Sequence, residues 1–176
     1  MTFVLIRNAT DAEMPAVGDV RLAAYLAGGF LTPDSGYVPT LRALGADGVG
    51  EVLVAVEPGS PGQAERIVGT VMLQPWPHAG PVATGPEEAE IRALAVDPGA
   101  QGAGVGWALV SSVVNQAAAA GVGHLVLCTQ TQMRAAHRLY ERAGFVRLPE
   151  RDWSPHPGTI LLAYGKRLGT DAESPG

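Results

Sequence analysis

Lysine is nearly missing from this chain: Lys166 is its one example, and no block rich in Lys and Arg occurs anywhere in the 176 residues. Twelve basic residues stand against 17 acidic ones, a formal net charge of −5. A protein that grips a phosphate backbone needs a concentrated basic surface, so nucleic acid is not an expected partner. A small anionic cofactor stays open, because backbone N–H groups and a few arginines can hold one locally. Cysteine is equally scarce. Cys128 stands alone, so no intrachain disulfide forms, and its place in Val126-Leu127-Cys128 reads as a buried, inert thiol. No Cys/His set has the spacing of zinc ligands, and no metal is expected. Long apolar runs are lacking too: polar residues or glycine interrupt each one well before about 18 residues. Met1 to Arg7 has neither a basic leader nor enough apolar length for a signal peptide. The expectation is therefore a cytoplasmic protein with no membrane partner.

What the chain does have is apolar residues, 47% of the total, enough for the core of one domain over residues 1–168, with a polar, flexible tail at 169–176. Phe3 to Arg7 reads as a strand. Thr10-Asp11-Ala12-Glu13 has the form of a capping box and predicts a helix to about Leu26, ended by Gly28-Gly29. A second short helix near Thr40 to Leu44 follows a loop. Val-rich Glu51 to Glu57 and Arg66 to Leu73 read as a hairpin around Pro58-Gly59-Ser60-Pro61-Gly62. Four prolines between Gln74 and Pro86 argue for an irregular surface loop. Then come a strand at Glu88 to Val96, a helix from Gly104 to about Ala119, a strand at His124 to Cys128, and a helix from about Gln132 to Arg142. Phe145 to Leu148 and Thr159 to Lys166 complete the series as strands. The order is that of a single mixed α/β (α+β) layered domain without internal repeats.

The sharpest local feature is Gln101-Gly102-Ala103-Gly104-Val105-Gly106, which follows a strand and opens a helix. Glycines there permit tight turning, and the helix end offers N–H groups with no intrahelical partner, so the turn can cradle a pyrophosphate. Its glycines are spaced two and two, unlike the dinucleotide fingerprint. No ribose-binding acid ends the next strand, and no Gly-Lys-Ser/Thr follows, which excludes a P-loop.

With the preceding Glu90-Ile91-Arg92-Ala93-Leu94-Ala95-Val96-Asp97-Pro98, this turn resembles the central motif of the GCN5-related N-acetyltransferase (GNAT) superfamily. Leu139-Tyr140-Glu141-Arg142-Ala143-Gly144-Phe145 is similar to the family's second motif, and Ile6-Arg7-Asn8-Ala9-Thr10-Asp11-Ala12-Glu13 to its opening. The resemblance spans Phe3 to Arg167. It implies a mixed, mainly antiparallel sheet flanked by helices, with two strands splayed apart to form an acyl-CoA cleft. It also implies acetyl-CoA as acyl donor, no metal, and direct attack by a primary amine in a ternary complex.

Residue by residue, the resemblance places the pantetheine arm against Leu94, Ala95 and Val96, and the pyrophosphate on Gln101, Gly102, Ala103, Gly104, Val105 and Gly106. It makes Tyr140 the proton donor to the leaving thiolate, with a core residue of an amphipathic helix as the plainer reading. Glu90 takes the amine proton, unless it is only a solvated charge at the strand entry; Glu87 and Glu88 lie beside it in sequence. Many members carry asparagine seven residues before the tyrosine, where this chain has Met133. That leaves Thr129 or Arg134 to supply the missing cofactor contact. Arg134 and Arg138 reach the CoA phosphates or face solvent.

The acceptor, expected to be a small-molecule amine, would meet Tyr25, Phe30, Tyr37, Trp76, Arg92 and Trp153, with His78, Asp152 and His156 nearby. Arg92 shares a strand face with Glu90 and either orients an acidic substrate or pairs with that glutamate. Two alternatives stand beside the enzyme of small amines: an acetyl-CoA-binding regulatory module without catalysis, which Met133 favours, and an acetyltransferase of protein N-termini, which needs an open groove. Monomer and homodimer are both compatible with the chain.

Overall fold

The Pro58–Gly62 break turns β2 (Glu51–Glu57) back onto β3 (Arg66–Pro75), antiparallel from Glu51 opposite Leu73 to Glu57 opposite Arg66. The computed structural model describes residues 3–169. Of the expected tail only Gly169 falls within that range; residues 170–176, like Met1 and Thr2, lie outside the described residues. β1 (Leu5–Asn8) pairs with the free edge of β2, and β4 (Glu88–Val96) with β3. β5 (His124–Gln130) runs parallel to β4, and β8 (Thr159–Arg167) antiparallel to β5. β6 (Val146–Arg147) and β7 (Trp153–His156) both pair with β8, completing a mixed sheet of eight strands. The mainly antiparallel α/β architecture is the expected one. β7 was not foreseen, because Pro155 and Pro157 read as a loop; an edge strand that pairs only with the start of β8 tolerates them.

Helices cover both faces. α3 (Val105–Ala119) buries Val105, Leu109, Val113 and Ala117, a stripe at intervals of four, against Leu53, Val71, Leu73 and Ile91 of the sheet. On the other face α1 (Met14–Ala27) sets Val17 against Val54, Val56 and Met72. The capping residues act one turn earlier than expected. Asp11–Glu13 is a 3-10 turn, Glu13 accepts from the Thr10 N–H at 2.9 Å, and α1 begins at Met14. α2 (Val38–Ala43) packs on α1, and α4 (Arg134–Arg142) carries Tyr140 into the main core. The proline-rich loop after β3 is no mere surface excursion: Val82 and Ala83 are buried on Val126 and Ala163. Among the described residues no helix is long and apolar enough to cross a membrane.

Two irregularities in β4 shape the middle of the molecule. First, β4 and β5 pair only through Glu88 with His124, Ala89 with Leu125, and Glu90 with Val126. Past Glu90 the strands separate, and β4 main-chain groups on that side have no strand partner. Second, Thr70 faces Ala95 while Met72 faces Arg92, so Val71 opposes two residues, Ala93 and Leu94. This is a β-bulge, and Ala93 adopts φ +54°, a positive value found at no other non-glycine residue among those described. The bulge turns β4 away from β5 and opens the sheet.

A β-branched side chain is poorly tolerated at positive φ. Ala93→Val is expected to lower unfolding free energy by about 1–3 kcal/mol in urea titration. Ala93→Gly, which adopts that φ freely, is expected to leave stability equal or higher; equal loss in both variants would mean that the conformation at 93 is not what the valine disturbs.

Candidate active site

The open sheet leaves two cavities that meet at the bulge. The first, about 580 Å³, lies between the β4 bulge, the start of α3, the end of α1 and α4. Gly104 caps α3 at φ +82° and Gly102 precedes it at φ +83°, so this turn favours glycine at both positions. A Cβ on either would touch nothing within 4 Å. The unpartnered N–H groups and the positive end of α3 therefore face open space into which an anionic group can enter. Gln101 braces the turn, its amide donating to the Val96 carbonyl at 3.2 Å. Of the expected cofactor residues, Leu94, Ala95, Val96, Gln101, Gly102, Gly104, Val105 and Gly106 line this cavity; Ala103 lies in the exposed turn without lining it.

Among the aromatic and charged lining residues, two escaped the sequence reading, Trp107 and Arg142. Arg142 sits 4.4 Å over the Trp107 ring, and it is the single charged side chain lining the first cavity. They stand on different helices, and no short-range pattern links them.

The second cavity, about 540 Å³, opens on the other side of the bulge. Tyr25, Phe30 and Met133 line both cavities and so form their shared wall. The Tyr25 and Phe30 rings meet edge to face at 6.4 Å, and the Phe30 carbonyl accepts from the Gln130 amide at 3.2 Å, tying the α1–α2 connection to β5. Tyr37, Arg92 and Trp153 join them in the lining, as the sequence suggested, together with His156.

Glu90 also lines this cavity, although it is only 3% exposed. Its Oε1 accepts from the Gly80 N–H at 2.7 Å and lies 3.9 Å from Arg92 Nε; the Cys128 thiol is 3.9 Å from Oε2. Burial pushes the carboxyl above its ordinary value, against the opposing pull of Arg92 and the two donors. A Cβ on Gly80 would approach Oε1 to 2.7 Å, so glycine there is what lets the N–H reach the carboxylate. The sequence suggested a buried, inert core thiol at Cys128, and the structure places it elsewhere. It is half-buried in the cavity wall, and burial beside Glu90 raises it to about 11.

The neighbouring glutamates are committed elsewhere. Glu87 is exposed and pairs with Arg167 at 3.5 Å. Glu88 is stapled by His124 at 2.5 Å, by Arg151 at 2.9 Å to both oxygens, and by the Thr84 N–H at 2.6 Å. Burial alone would raise its carboxyl, but Thr84, His124 and Arg151 outweigh burial and hold it at about 2. The staple fixes the paired end of β4 and β5 next to the point where they part.

Several expected site residues lie elsewhere. Tyr140 is 5% exposed, lines neither cavity, and packs on Phe145 and Tyr164 with ring centroids at 5.7 and 6.4 Å. Burial, with Tyr25 and Cys128 adding to it, raises its phenol well above the ordinary value. Thr129 lines the second cavity rather than the first and donates to the Met133 sulfur at 3.5 Å. Arg134 is exposed and lines neither cavity, because the first turn of α4 points it outward. Trp76, 40% exposed, and His78 lie outside both cavities because the loop folds onto the sheet through Val82 and Ala83 instead. Asp152 is bound by the Arg147 guanidinium at 2.7 Å through both oxygens.

Comparison with known proteins places this geometry. The acetyltransferase (GNAT) family profile matches residues 34–145. Mycothiol acetyltransferase of Beutenbergia cavernae is 38% identical over 77 residues, covering 44% of this chain and 25% of that protein. The chain spans only about a quarter to a third of the length of the curated relatives it matches. An acetyltransferase of the GNAT family from Staphylococcus aureus Mu50 superposes with TM-score 0.73 at 17% identity, over 95% of this chain and 100% of that one. A Salmonella typhimurium protein solved with its cofactor acetyl-CoA superposes with TM-score 0.65 at 21% identity, over 99% of each chain. Identities this low carry the fold alone.

The Glu88 staple has a pH signature. Its carboxyl titrates near 2 when folded and near 4.5 otherwise, so its contribution is full above pH 4.5 and fades as the pH falls toward 2. Glu88→Gln is expected to lower unfolding free energy by about 3 kcal/mol at neutral pH. Chemical denaturation across pH should show that difference shrinking through this window; a pH-independent difference would remove the staple as its source.

Proposed function

Because the chain belongs to the acetyltransferase (GNAT) family, we propose that it transfers the acetyl group of acetyl-CoA to the primary amine of a small molecule, by direct attack in a ternary complex. The observation that carries this reading is the junction at the bulge. A cavity fit for an acyl-CoA meets a cavity whose buried carboxylate, Glu90, is suited to take a proton. The open Cβ positions at Gly102 and Gly104, the α3 N-terminus and the Arg142 guanidinium fit the phosphates, and the apolar wall of Leu94, Val96, Met133 and Leu139 fits the pantetheine arm.

Acetyl-CoA supplies the acetyl group as an activated thioester. Glu90 receives a proton from the acceptor ammonium, directly or through water; its raised pKa brings the carboxylate closer to the proton affinity that a base needs near neutral pH. Main-chain N–H groups around Leu94 to Val96, unpartnered on the β5 side, serve the oxyanion. Tyr140 lines neither cavity, but it stands near enough to Tyr25 and Cys128 of their walls for both to raise its phenol, and from behind that wall the neutral phenol gives a hydrogen bond to the leaving sulfur. A phenol above 10 facing a thiol of about 8.5 donates such a bond more readily than it surrenders its proton. The walls hold both reactants together, which is the entropic part of the acceleration.

Met133 is compatible with this scheme. In place of an amide it puts a thioether on the wall that both cavities share. A module that only binds acetyl-CoA would have no use for a buried carboxylate opening onto a second cavity. The mycothiol named for the relatives is not carried over, since the overlap covers so little of those proteins.

Acetyl-CoA-dependent thiol release against a panel of amines tests the reading. Glu90→Gln is expected to lower kcat/KM by about 10²–10⁴-fold and to abolish the acid limb, the rise in rate as pH passes up through the raised carboxyl pKa. Tyr140→Phe is expected to lower kcat about 10- to 100-fold, the worth of one hydrogen bond to a charged atom. An acid limb unchanged in Glu90→Gln would assign the base elsewhere.

A further inference from the structure

Around the second cavity, the lining and the layer behind it carry more positive charge than the one lining carboxylate balances. Arg92 lines it, 27% exposed at the side chain, with Nη1 donating to Gln74 at 3.1 Å and Nε 3.9 Å from Glu90. Its Nη2 has no partner among the described residues. Behind the wall stands Arg21 of α1, fully buried, with Nη1 donating to the Leu41 and Leu44 carbonyls at 3.1 and 2.7 Å. Its Nε and Nη2 are buried without any hydrogen-bond partner, and no carboxylate among the described residues pairs with it. The groups that bear on it electrostatically are Tyr25, Tyr37 and Arg92, all three in the lining of the second cavity. Two guanidinium groups, Arg92 in the lining and Arg21 buried behind it, therefore stand against one carboxylate, inside a chain whose net charge is −5.

Buried charge in excess is unfavourable until something of opposite sign compensates it. A plain amine would add a further cation to this cavity. An amine with an anionic group close by resolves both needs, and the 3.9 Å between Glu90 Oε1 and Arg92 Nε requires the two groups of such a ligand to be near neighbours. The unpartnered Nη2, with the second N–H of Nη1, offers a carboxylate two donors side by side. Phe30, Tyr37 and Trp153 supply flat apolar walls for whatever side chain the ligand carries.

We propose that the acceptor is an amine bearing a carboxylate on the adjacent carbon, an α-amino acid or close analogue, with Arg92 receiving the carboxylate while Glu90 faces the amine. The proposal rests on the acetyl-transfer reading above. Arg21 contributes positive potential from behind the wall and makes no contact with the ligand. A peptide N-terminus, whose neighbouring carbon bears an amide, lacks the anion and is disfavoured.

Matched trios test this: phenylalanine, phenylalaninamide and phenylethylamine; the corresponding sets from methionine, histidine and tryptophan. Each is titrated calorimetrically into the full chain, with and without CoA. In at least one trio the acid is expected to bind about tenfold or more tightly than its amide and plain amine. Arg92→Gln should bring the acid down to the level of the amide, and Arg92→Lys should restore part of the difference. Arg66→Gln, on the distant hairpin, should leave the acid's affinity intact. Amides or plain amines binding as tightly as acids, or no acid binding at all, overturns the proposal. CoA binding, measured first on the same preparation, and thiol release with plain amines register the transfer reading separately, so either can fail alone.

Discussion

Everything at the centre of this molecule depends on β4 and β5 pairing for three residues and then parting. An interior parallel pair normally satisfies its main-chain groups along its whole length. Here the pairing stops at Glu90, and Ala93, at φ +54° within a bulge, bends β4 away. The backbone groups released by that separation become available to a ligand, and the gap becomes the junction of two cavities. Strain at Ala93 is sustained by what surrounds it: the Glu88 staple on the paired side, the β3 ladder behind, and α3 packed against the sheet.

The same constraint gives the proposed polyanionic cofactor a site in an acidic chain with a single lysine. The glycine turn and the α3 N-terminus offer partial positive charge from the main chain, and only Arg142 adds a full cation to that cavity. Side-chain charge is concentrated instead around the second cavity, where Glu90, Arg92 and the buried Arg21 set the electrostatics. The division of labour is physical: a pyrophosphate can be held by many weak dipoles, whereas moving one proton needs one carboxylate in the right surroundings.

Features that rest on neighbours along the chain were legible in the sequence. Asp97-Pro98 stops β4, Gly102 and Gly104 permit the turn, and the four-residue spacing from Val105 to Ala117 builds α3, all through interactions a few residues apart. Features that rest on distant packing were not. Nothing about Ala93 marks it for positive φ, because the bulge comes from the mismatch of β4 with β3. Glu88 and Glu90 each accept one loop N–H, from Thr84 and Gly80, and differ because distant His124 and Arg151 also bind Glu88. Trp107 meets Arg142 only because α3 and α4 pack, and Trp76 misses the site only because Val82 and Ala83 anchor the loop. Tyr140, singled out by its motif, lies in the core outside both cavities because α4 packs it on Phe145 and Tyr164.

The central claim is that unpaired main chain from β4 and the α3 turn forms the acetyl-CoA site. Amide hydrogen exchange with and without acetyl-CoA tests it most directly, since it reads the backbone groups themselves. The account predicts that saturating acetyl-CoA slows exchange at residues 93–96 and 101–106, with little change in the turn of the β2–β3 hairpin. Binding that leaves those amides unprotected, or protects a different surface, would contradict it.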